Sequence, residues 1–166
     1  MVINEVLPVS RAVDWDGDGK ANAADGWIEL LNATGRPVDL SGWRLETGRG
    51  AGTVYRIPRG TVLRAGAIRV FYQRQTRLKL EDAGGLVRLV DRGGKVVDSV
   101  RYGALGHDAS YSRDAKNVWH SDWPPSPNRP NVPPATSVPG TGTPTATPAP
   151  NGSETVTPTA TPASTG

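Results

Sequence analysis

The sequence contains no cysteine, and this absence excludes both a disulfide scaffold and a zinc site with cysteine ligands. It also lacks any run of about 18 apolar residues, which is the length that a membrane-spanning helix requires. No stretch shows apolar residues recurring every 3.6 positions, so no amphipathic helix is predicted. We therefore expect a protein built mainly of β-strands, with no membrane span in this chain.

Motifs typical of enzymes are missing as well. Only two histidines are present, His107 and His120. A single His107–Asp108 pair without a second set of ligands is weak evidence for a metal hydrolase. No serine lies in a Gly-x-Ser-x-Gly motif, and no glycine-rich phosphate loop is found. We expect a protein without catalytic activity.

The C-terminal residues 132–166 differ in composition from the rest of the chain. They contain eight Pro, ten Thr and one charged residue, Glu154, and the run TPTATP occurs twice within them. Such a segment buries too little apolar surface to offset the entropy of ordering. We predict one folded domain over residues 1–131 and a disordered Thr/Pro-rich linker over residues 132–166, of the kind found in secreted multidomain proteins. The chain is accordingly expected to be a fragment of a larger protein or a domain tethered to a wall.

The folded part shows the pattern of an all-β domain. Short runs of Val, Ile, Leu and aromatic residues alternate with Gly, Pro, Asn and Asp, which favour turns. Seven to nine strands at this spacing predict a β-sandwich rather than a long barrel. The candidate strands are residues 2–7, 27–32, 43–47, 54–58, 67–73, 78–81, 86–91 and 95–102, with 118–120 as a candidate late edge strand.

The strongest local signal is a hairpin over residues 86–102, where Gly93 and Gly94 supply the positive φ angles of a two-residue turn. Pairing around this turn predicts an apolar core face and a basic solvent face. Asp98 falls on the apolar face, and we expect it to accept a hydrogen bond from a backbone N–H or an arginine. The predicted core face holds Val87, Leu89, Val96, Val100 and Tyr102, and the solvent face holds Arg88, Arg92, Lys95 and Arg101.

Several blocks of the sequence resemble the lamin tail domain, and they occur in the right order. The most specific blocks are VDLSGWRL at residues 38–45 and SPN at residues 126–128. The resemblance covers nearly all of residues 2–131. Its other blocks are INEV at 3–6, WIELLN at 27–32, YRIP at 55–58, GTVL at 60–63, GKVVDSVRY at 94–102 and SYSR at 110–113.

This resemblance implies an immunoglobulin-like β-sandwich and a non-catalytic module. Similar bacterial domains occur in secreted or cell-surface proteins, often beside nucleases or hydrolases. In animal lamins the domain binds proteins and, more weakly, nucleic acid. None of those binding residues can be assigned to numbered positions in this chain, and a fold does not by itself determine a function, so the ligand stays open.

Residues 14–25, DWDGDGKANAAD, match the calcium-loop pattern D-x-[DN]-x-[DN]-G. Calcium takes six to eight oxygen ligands, and Asp14, Asp16 and Asp18 stand at positions 1, 3 and 5 of a twelve-residue loop. Asp also stands at the last position, where an EF-hand has a bidentate Glu. The loop therefore resembles that of a dockerin repeat, although a predicted strand follows it. The other predicted ligands are the backbone carbonyl of Lys20, Asn22 and Asp25.

We predict one structural Ca²⁺ site rather than a switch, because the loop has no paired loop and no helices to reorient. A solvated acidic turn is the alternative, since Asp and Gly are common in turns. Mg²⁺ is a weaker candidate because it prefers water-rich octahedral sites. We expect Glu29 to face inward with Trp27, toward a backbone N–H, rather than to complete the calcium site.

The charges define two functional hypotheses. Residues 1–131 carry 19 basic and 15 acidic residues, and the acidic loop lies on an otherwise basic domain. The first hypothesis is a calcium-stabilised accessory or interaction module, extracellular or on a bacterial cell surface, that binds an unknown protein or surface polymer as a monomer. The alternative is a module that binds DNA or another polyanion through an Arg-rich face.

Overall fold

The computed structural model describes residues 1–48 and 53–135, and these form β-strands joined by turns and loops. One turn of 3-10 helix, Ala23–Asp25, and one turn of α-helix, α1 at Gln73–Thr76, interrupt them. In the described part of the chain, no helix is long and apolar enough to cross a membrane. The strands are β1 Val2–Leu7, β2 Trp27–Leu31, β3 Val38–Asp39, β4 Arg44–Thr47, β5 Val54–Arg56, β6 Val62–Leu63, β7 Ile68–Tyr72, β8 Gly85–Val90, β9 Val96–Tyr102, β10 Tyr111–Arg113 and β11 Trp119–His120.

The strands form an immunoglobulin-like β-sandwich. A five-stranded sheet has the order β11-β10-β1-β2-β7, and a four-stranded sheet has the order β5-β4-β8-β9, while β3 and β6 pair separately. All of these pairings are antiparallel. Side chains from both larger sheets share one apolar core, which removes their surface from water. Its buried members include Ile3, Val6, Ile28, Leu30, Phe71, Leu45, Val87, Leu89, Val100 and Tyr102.

The opposite face of the five-stranded sheet is also buried along β1 and β2. Side chains alternate between the two faces of a strand, so Trp27 and Glu29 lie on the side away from Ile28 and Leu30. There, Trp27 packs in a second apolar cluster with Leu7 and Val70. The register of β1 shifts between Ile3 and Glu5, a bulge that lets Ile3 and Val6 both reach the main core.

The all-β sandwich predicted from the sequence is confirmed, and the described residues contain eleven strands rather than seven to nine. Strands β3, β6 and β10 were not predicted, and they are two or three residues long. The prediction of a strand over residues 78–81 is wrong. Leu78 and Leu80 are buried, as the alternation of apolar and polar residues predicted, but residues 78–81 pair with no strand. Such alternation indicates which side chains are buried and does not show that the backbone forms a sheet.

The predicted hairpin forms between β8 and β9, with two corrections. Only Gly94 has a positive φ, +92°, and residues 92–94 form the loop because Asp91 N–H donates to the Lys95 carbonyl at 2.9 Å. The register then shifts between Leu89 and Val90. This bulge turns Val96 out of the core, and its side chain is 46% exposed. The predicted linker, residues 132–166, lies outside the described residues from residue 136 onward.

Candidate metal site

Residues 8–26, which connect β1 to β2, contain the acidic loop. Asp14, Asp16 and Asp18 each place a carboxylate oxygen so that the three atoms lie within 4.8 Å of one another. Gly17, between Asp16 and Asp18, has a φ of +73°, and Gly19, directly after Asp18, has a φ of +88°. Glycine takes up such angles at no steric cost, so the two glycines allow the chain to curl around the three carboxylates.

Hydrogen bonds from the backbone hold the loop in this curl. The Asp14 carboxylate accepts N–H groups from Gly17 at 2.8 Å, Asp18 at 3.1 Å and Gly19 at 2.7 Å. The carboxylate of Asp18 accepts the Lys20 N–H at 2.9 Å. Donors and acceptors of these bonds all lie within the loop. Local sequence therefore brings the three carboxylates together, as the spacing of the motif predicts.

The other three predicted ligands form the base of the loop. Asp25 is buried, and its carboxylate accepts the N–H groups of Asp16 at 3.1 Å and Asn22 at 2.7 Å. The side-chain oxygen Oδ1 of Asn22 caps the 3-10 turn by accepting the Ala24 N–H, and its side-chain Nδ2 donates to the Lys20 backbone carbonyl at 2.9 Å. The structure therefore groups the carboxylates of Asp14, Asp16 and Asp18, while the Lys20 carbonyl, Asn22 and Asp25 are engaged in hydrogen bonds within the loop.

Arg74, at α1, contacts the loop in a way that the sequence did not indicate. Its Nη1 lies 2.7 Å from an Asp18 carboxylate oxygen, and its Nε lies 3.3 Å from one of Asp16. Burial raises the pKa of Asp16, while the hydrogen bond from Arg74 lowers that of Asp18. Arg74 thus supplies a positive charge at the rim of the acidic cluster, although it lies 56 residues or more from the three aspartates in the sequence.

The position of α1 explains how Arg74 reaches the loop. Gln73 donates its backbone N–H to the Gly26 carbonyl at 2.6 Å and its side-chain amide to the Pro8 carbonyl at 2.6 Å. Both acceptors lie at the ends of the β1–β2 connection. Gly26 has no room for a Cβ, which would lie 2.1 Å from the Gln73 side chain. This close approach anchors α1 beside the acidic loop.

Glu29 belongs to a different site. Its carboxylate accepts the side-chain amide of Asn4 and the backbone N–H of Asn128, both at 2.7 Å. The expectation that Glu29 faces inward toward a backbone N–H is confirmed. Burial raises the pKa of Glu29 to about 7, with a smaller contribution from the nearby charge of Glu5.

Glu5 anchors the C-terminal part of the domain to β1. It is fully buried, and its carboxylate accepts hydroxyl hydrogen bonds from Ser110 at 2.5 Å, Ser112 at 2.9 Å and Ser126 at 3.1 Å. Burial raises its pKa, although these hydrogen bonds oppose the shift. Sequence blocks that are more than 100 residues apart therefore meet at one buried carboxylate.

The two histidines take part in surface contacts. His107 accepts a hydrogen bond from Arg11 at 3.0 Å, and Asp108 accepts the Ser10 hydroxyl at 2.6 Å. His120 lies 3.3 Å from Asp114 and stacks on Trp123. Over the residues that the structure describes, neither histidine joins a group of three or more potential metal ligands.

Comparison with known proteins is consistent with this architecture. A family model described as the lamin tail domain matches residues 1–104. A search of curated proteins found no match to the chain. The matched span runs from β1 through β9 and includes the acidic loop. The serines that bind Glu5 lie beyond it, at residues 110, 112 and 126.

Proposed function

The chain belongs to the lamin tail domain family, and on this basis we propose that it is a non-catalytic interaction module that binds a protein or a surface polymer outside the cell. The family match is the observation that carries the proposal, because lamin tail domains are immunoglobulin-like interaction domains. The two histidines and the buried glutamates have contacts that stabilise the fold, which agrees with a module of this type.

We further propose that calcium stabilises this module through the acidic loop. Three carboxylates within 4.8 Å of one another repel each other, and a divalent cation would relieve that repulsion. Calcium accepts six to eight oxygens in flexible geometry, so the Lys20 carbonyl, Asn22 and Asp25 would complete the set after small rotations. Asp25 already hydrogen-bonds to the Asp16 backbone, which keeps its carboxylate beside the loop.

Calcium in the millimolar range is typical of extracellular fluids, and sites on extracellular modules have matching affinity. A loop that requires such concentrations would be filled outside the cell and empty in the cytoplasm. The Thr/Pro-rich composition of residues 132–166 supports the same location, because an extended linker would hold the domain away from a surface.

Thermal unfolding of the full chain tests the calcium proposal. We expect 10 mM CaCl₂ to raise the melting temperature by about 4 °C or more over the chelated protein, because calcium at about ten times a millimolar Kd stabilises the folded state by about 1.4 kcal/mol. The double variant Asp16→Asn/Asp18→Asn keeps side-chain oxygens for the loop's backbone N–H groups and should lose the shift. Asp122→Asn, at a side chain that is 77% exposed, is the matched control and should retain it.

A second candidate function, binding of DNA or another polyanion, is favoured by the outer face of the four-stranded sheet. Four arginines lie there against one carboxylate, Glu46, which already pairs with two of them at 3.0 Å. Affinity for DNA should fall steeply between about 50 and 200 mM salt, whereas an apolar protein partner should show little change. The four arginines are Arg44, Arg56, Arg88 and Arg101.

A further inference from the structure

A basic groove lies at one end of this face, where β5 ends and the β8–β9 loop begins. It encloses about 570 Å³ and is lined by Ser41, Gly42, Arg56, Arg59 and Arg92 together with apolar residues. Ser41 and Gly42 belong to the VDLSGWRL block. From the geometry of this groove, we infer that it binds a single doubly charged oxyanion, such as a phosphate or sulfate group.

Two of the arginines are fixed in place by backbone carbonyls. Arg92 donates from Nε to the Ser41 carbonyl at 3.0 Å, and Arg56 donates from Nη1 to the Gly42 carbonyl at 3.2 Å. Arg92 also donates from Nη2 to the Asp39 carboxylate at 3.2 Å, so Arg56 uses one and Arg92 uses two of the five N–H groups that each guanidinium carries. Both side chains are therefore oriented before any ligand arrives.

The two guanidinium groups converge above Gly42. If residue 42 carried a Cβ, that atom would lie 3.8 Å from Arg92 Nε and 3.9 Å from Arg56 Nη1. Gly42 has a φ of +77°, which favours glycine at this position and keeps the space above it clear. Two positive charges thus flank one turn, and an oxyanion in the adjoining groove could accept hydrogen bonds from the terminal N–H groups that the Ser41 and Gly42 carbonyls leave free.

The charge balance of the groove favours a dianion. Asp39 lies 3.2 Å from Arg92 and neutralises one of the three arginines, which leaves a net charge of +2. Arg59 has no hydrogen-bond or ion-pair partner for its side chain in residues 1–48 and 53–135. Arg56 stands directly opposite Arg44 across β4 and β5, and like charges in this arrangement destabilise a sheet. Arg56 and Arg92 also make contacts that support the fold, but no such contact accounts for Arg59.

This inference deepens the second candidate function, because such a site would hold the doubly charged terminal phosphate of a polyanion, and it is independent of the calcium proposal. NMR titration of the full chain at 50 mM NaCl tests it, with inorganic phosphate, sulfate and acetate as separate probes. We expect phosphate and sulfate to shift the backbone signals of Ser41, Gly42 and Arg59, and acetate to bind at least about threefold more weakly because it carries one charge.

Variants identify the site. Arg59→Gln and Arg92→Gln should each weaken binding about three- to tenfold, and Arg59→Gln removes no structural contact, so its effect cannot come from unfolding. Arg101→Gln, at the other end of the same sheet, is the control and should stay within about twofold. Equal effects of Arg59→Gln and Arg101→Gln, or shifts spread over the whole basic face, would overturn the inference.

Polymer probes separate the sources of the anion and the two related proposals. Polyphosphate ends in doubly charged phosphates, whereas dextran sulfate carries singly charged sulfate esters, so polyphosphate should bind the groove more tightly, and tighter binding of dextran sulfate would contradict the inference. A DNA duplex that binds with equal sensitivity to Arg59→Gln and Arg101→Gln would support the broad Arg face while contradicting the groove. Phosphate binding at the groove without DNA binding would support the groove and contradict the DNA hypothesis.

Discussion

Arg74 Nη1 lies 2.7 Å from a carboxylate oxygen of Asp18. This contact brings a cation of the protein's own chain to an acidic loop whose sequence matches a calcium site. The arginine side chain is 54% exposed, so it can move aside into solvent. Under the calcium proposal, Arg74 and the ion would compete for the carboxylates of Asp16 and Asp18.

Arg74→Gln should therefore bind calcium more tightly than the natural protein. We expect a gain of roughly two- to fivefold, since exposed ion pairs make small contributions. Its chelated form should melt slightly earlier, because the carboxylates lose their internal cation. Calorimetric titration of both proteins checks this, with Arg64→Gln as an exposed arginine control. Unchanged or weaker calcium affinity in Arg74→Gln would contradict competition.

The buried carboxylate of Glu29 should make stability depend on pH. Its pKa is about 7 in the folded protein and 4.5 in a model peptide, so the folded state binds more protons between these values. Stability should accordingly fall as pH rises from about 4.5 to 7, by on the order of 3 kcal/mol for this group. Glu29→Gln should flatten that fall in urea unfolding at pH 5 and pH 8. An equal pH dependence in the variant would refute the assignment to Glu29.

Asp98 joins the two sheets of the sandwich. Its carboxylate accepts the Ile3 N–H and a hydrogen bond from Arg113, both at 2.8 Å. Asp98→Ala should lower the free energy of unfolding by about 2–3 kcal/mol, because it leaves both donors without their acceptor. Asp98→Asn keeps one oxygen and should lose about half as much. Chemical denaturation measures the free energy of unfolding of both variants. Equal losses in Asp98→Ala and Asp98→Asn would show that the side-chain oxygen of residue 98 does not determine the stability.

Asn32 lies in the sequence Asn-Ala-Thr, which matches an acceptor for N-linked glycans, yet its side chain is fully buried. Its amide donates to the carbonyls of Arg36, Leu63 and Arg64 at 2.9–3.0 Å. Asn32→Ala should cost on the order of 2 kcal/mol, since the Leu63 carbonyl loses a buried donor and Thr34 loses the side-chain oxygen that accepts its N–H and hydroxyl. Urea unfolding measures this cost. A loss below 1 kcal/mol would mean that water replaces the amide.

Local features of the sequence predicted those parts of the fold that depend on neighbouring residues. Alternating apolar residues located β1, β2, β7 and the β8–β9 hairpin, and the spacing of Asp14, Asp16 and Asp18 predicted that their carboxylates would cluster. Val96 was assigned to the wrong face because a single-residue bulge reverses the alternation, and nothing local distinguishes that bulge from a regular hairpin.

Contacts between distant segments could not be predicted in the same way. Arg74 reaches the acidic loop only because a single helical turn packs against Gly26, and one turn has too few residues to show a helical period. Glu5 gathers Ser110, Ser112 and Ser126 from the other end of the domain. The resemblance to a family pointed to these blocks, but only the structure shows that they share one hydrogen-bonded carboxylate.

The central claim is that one calcium ion binds the acidic loop and stabilises the module. Isothermal titration of CaCl₂ into the chelator-treated full chain tests it most directly, with Asp16→Asn/Asp18→Asn titrated in parallel. The account predicts saturable binding of one ion per chain, with affinity at least tenfold weaker in the double variant because two charged ligands are lost. Absence of binding heat at millimolar calcium together with an unchanged melting temperature, or equal binding in the double variant, would contradict it.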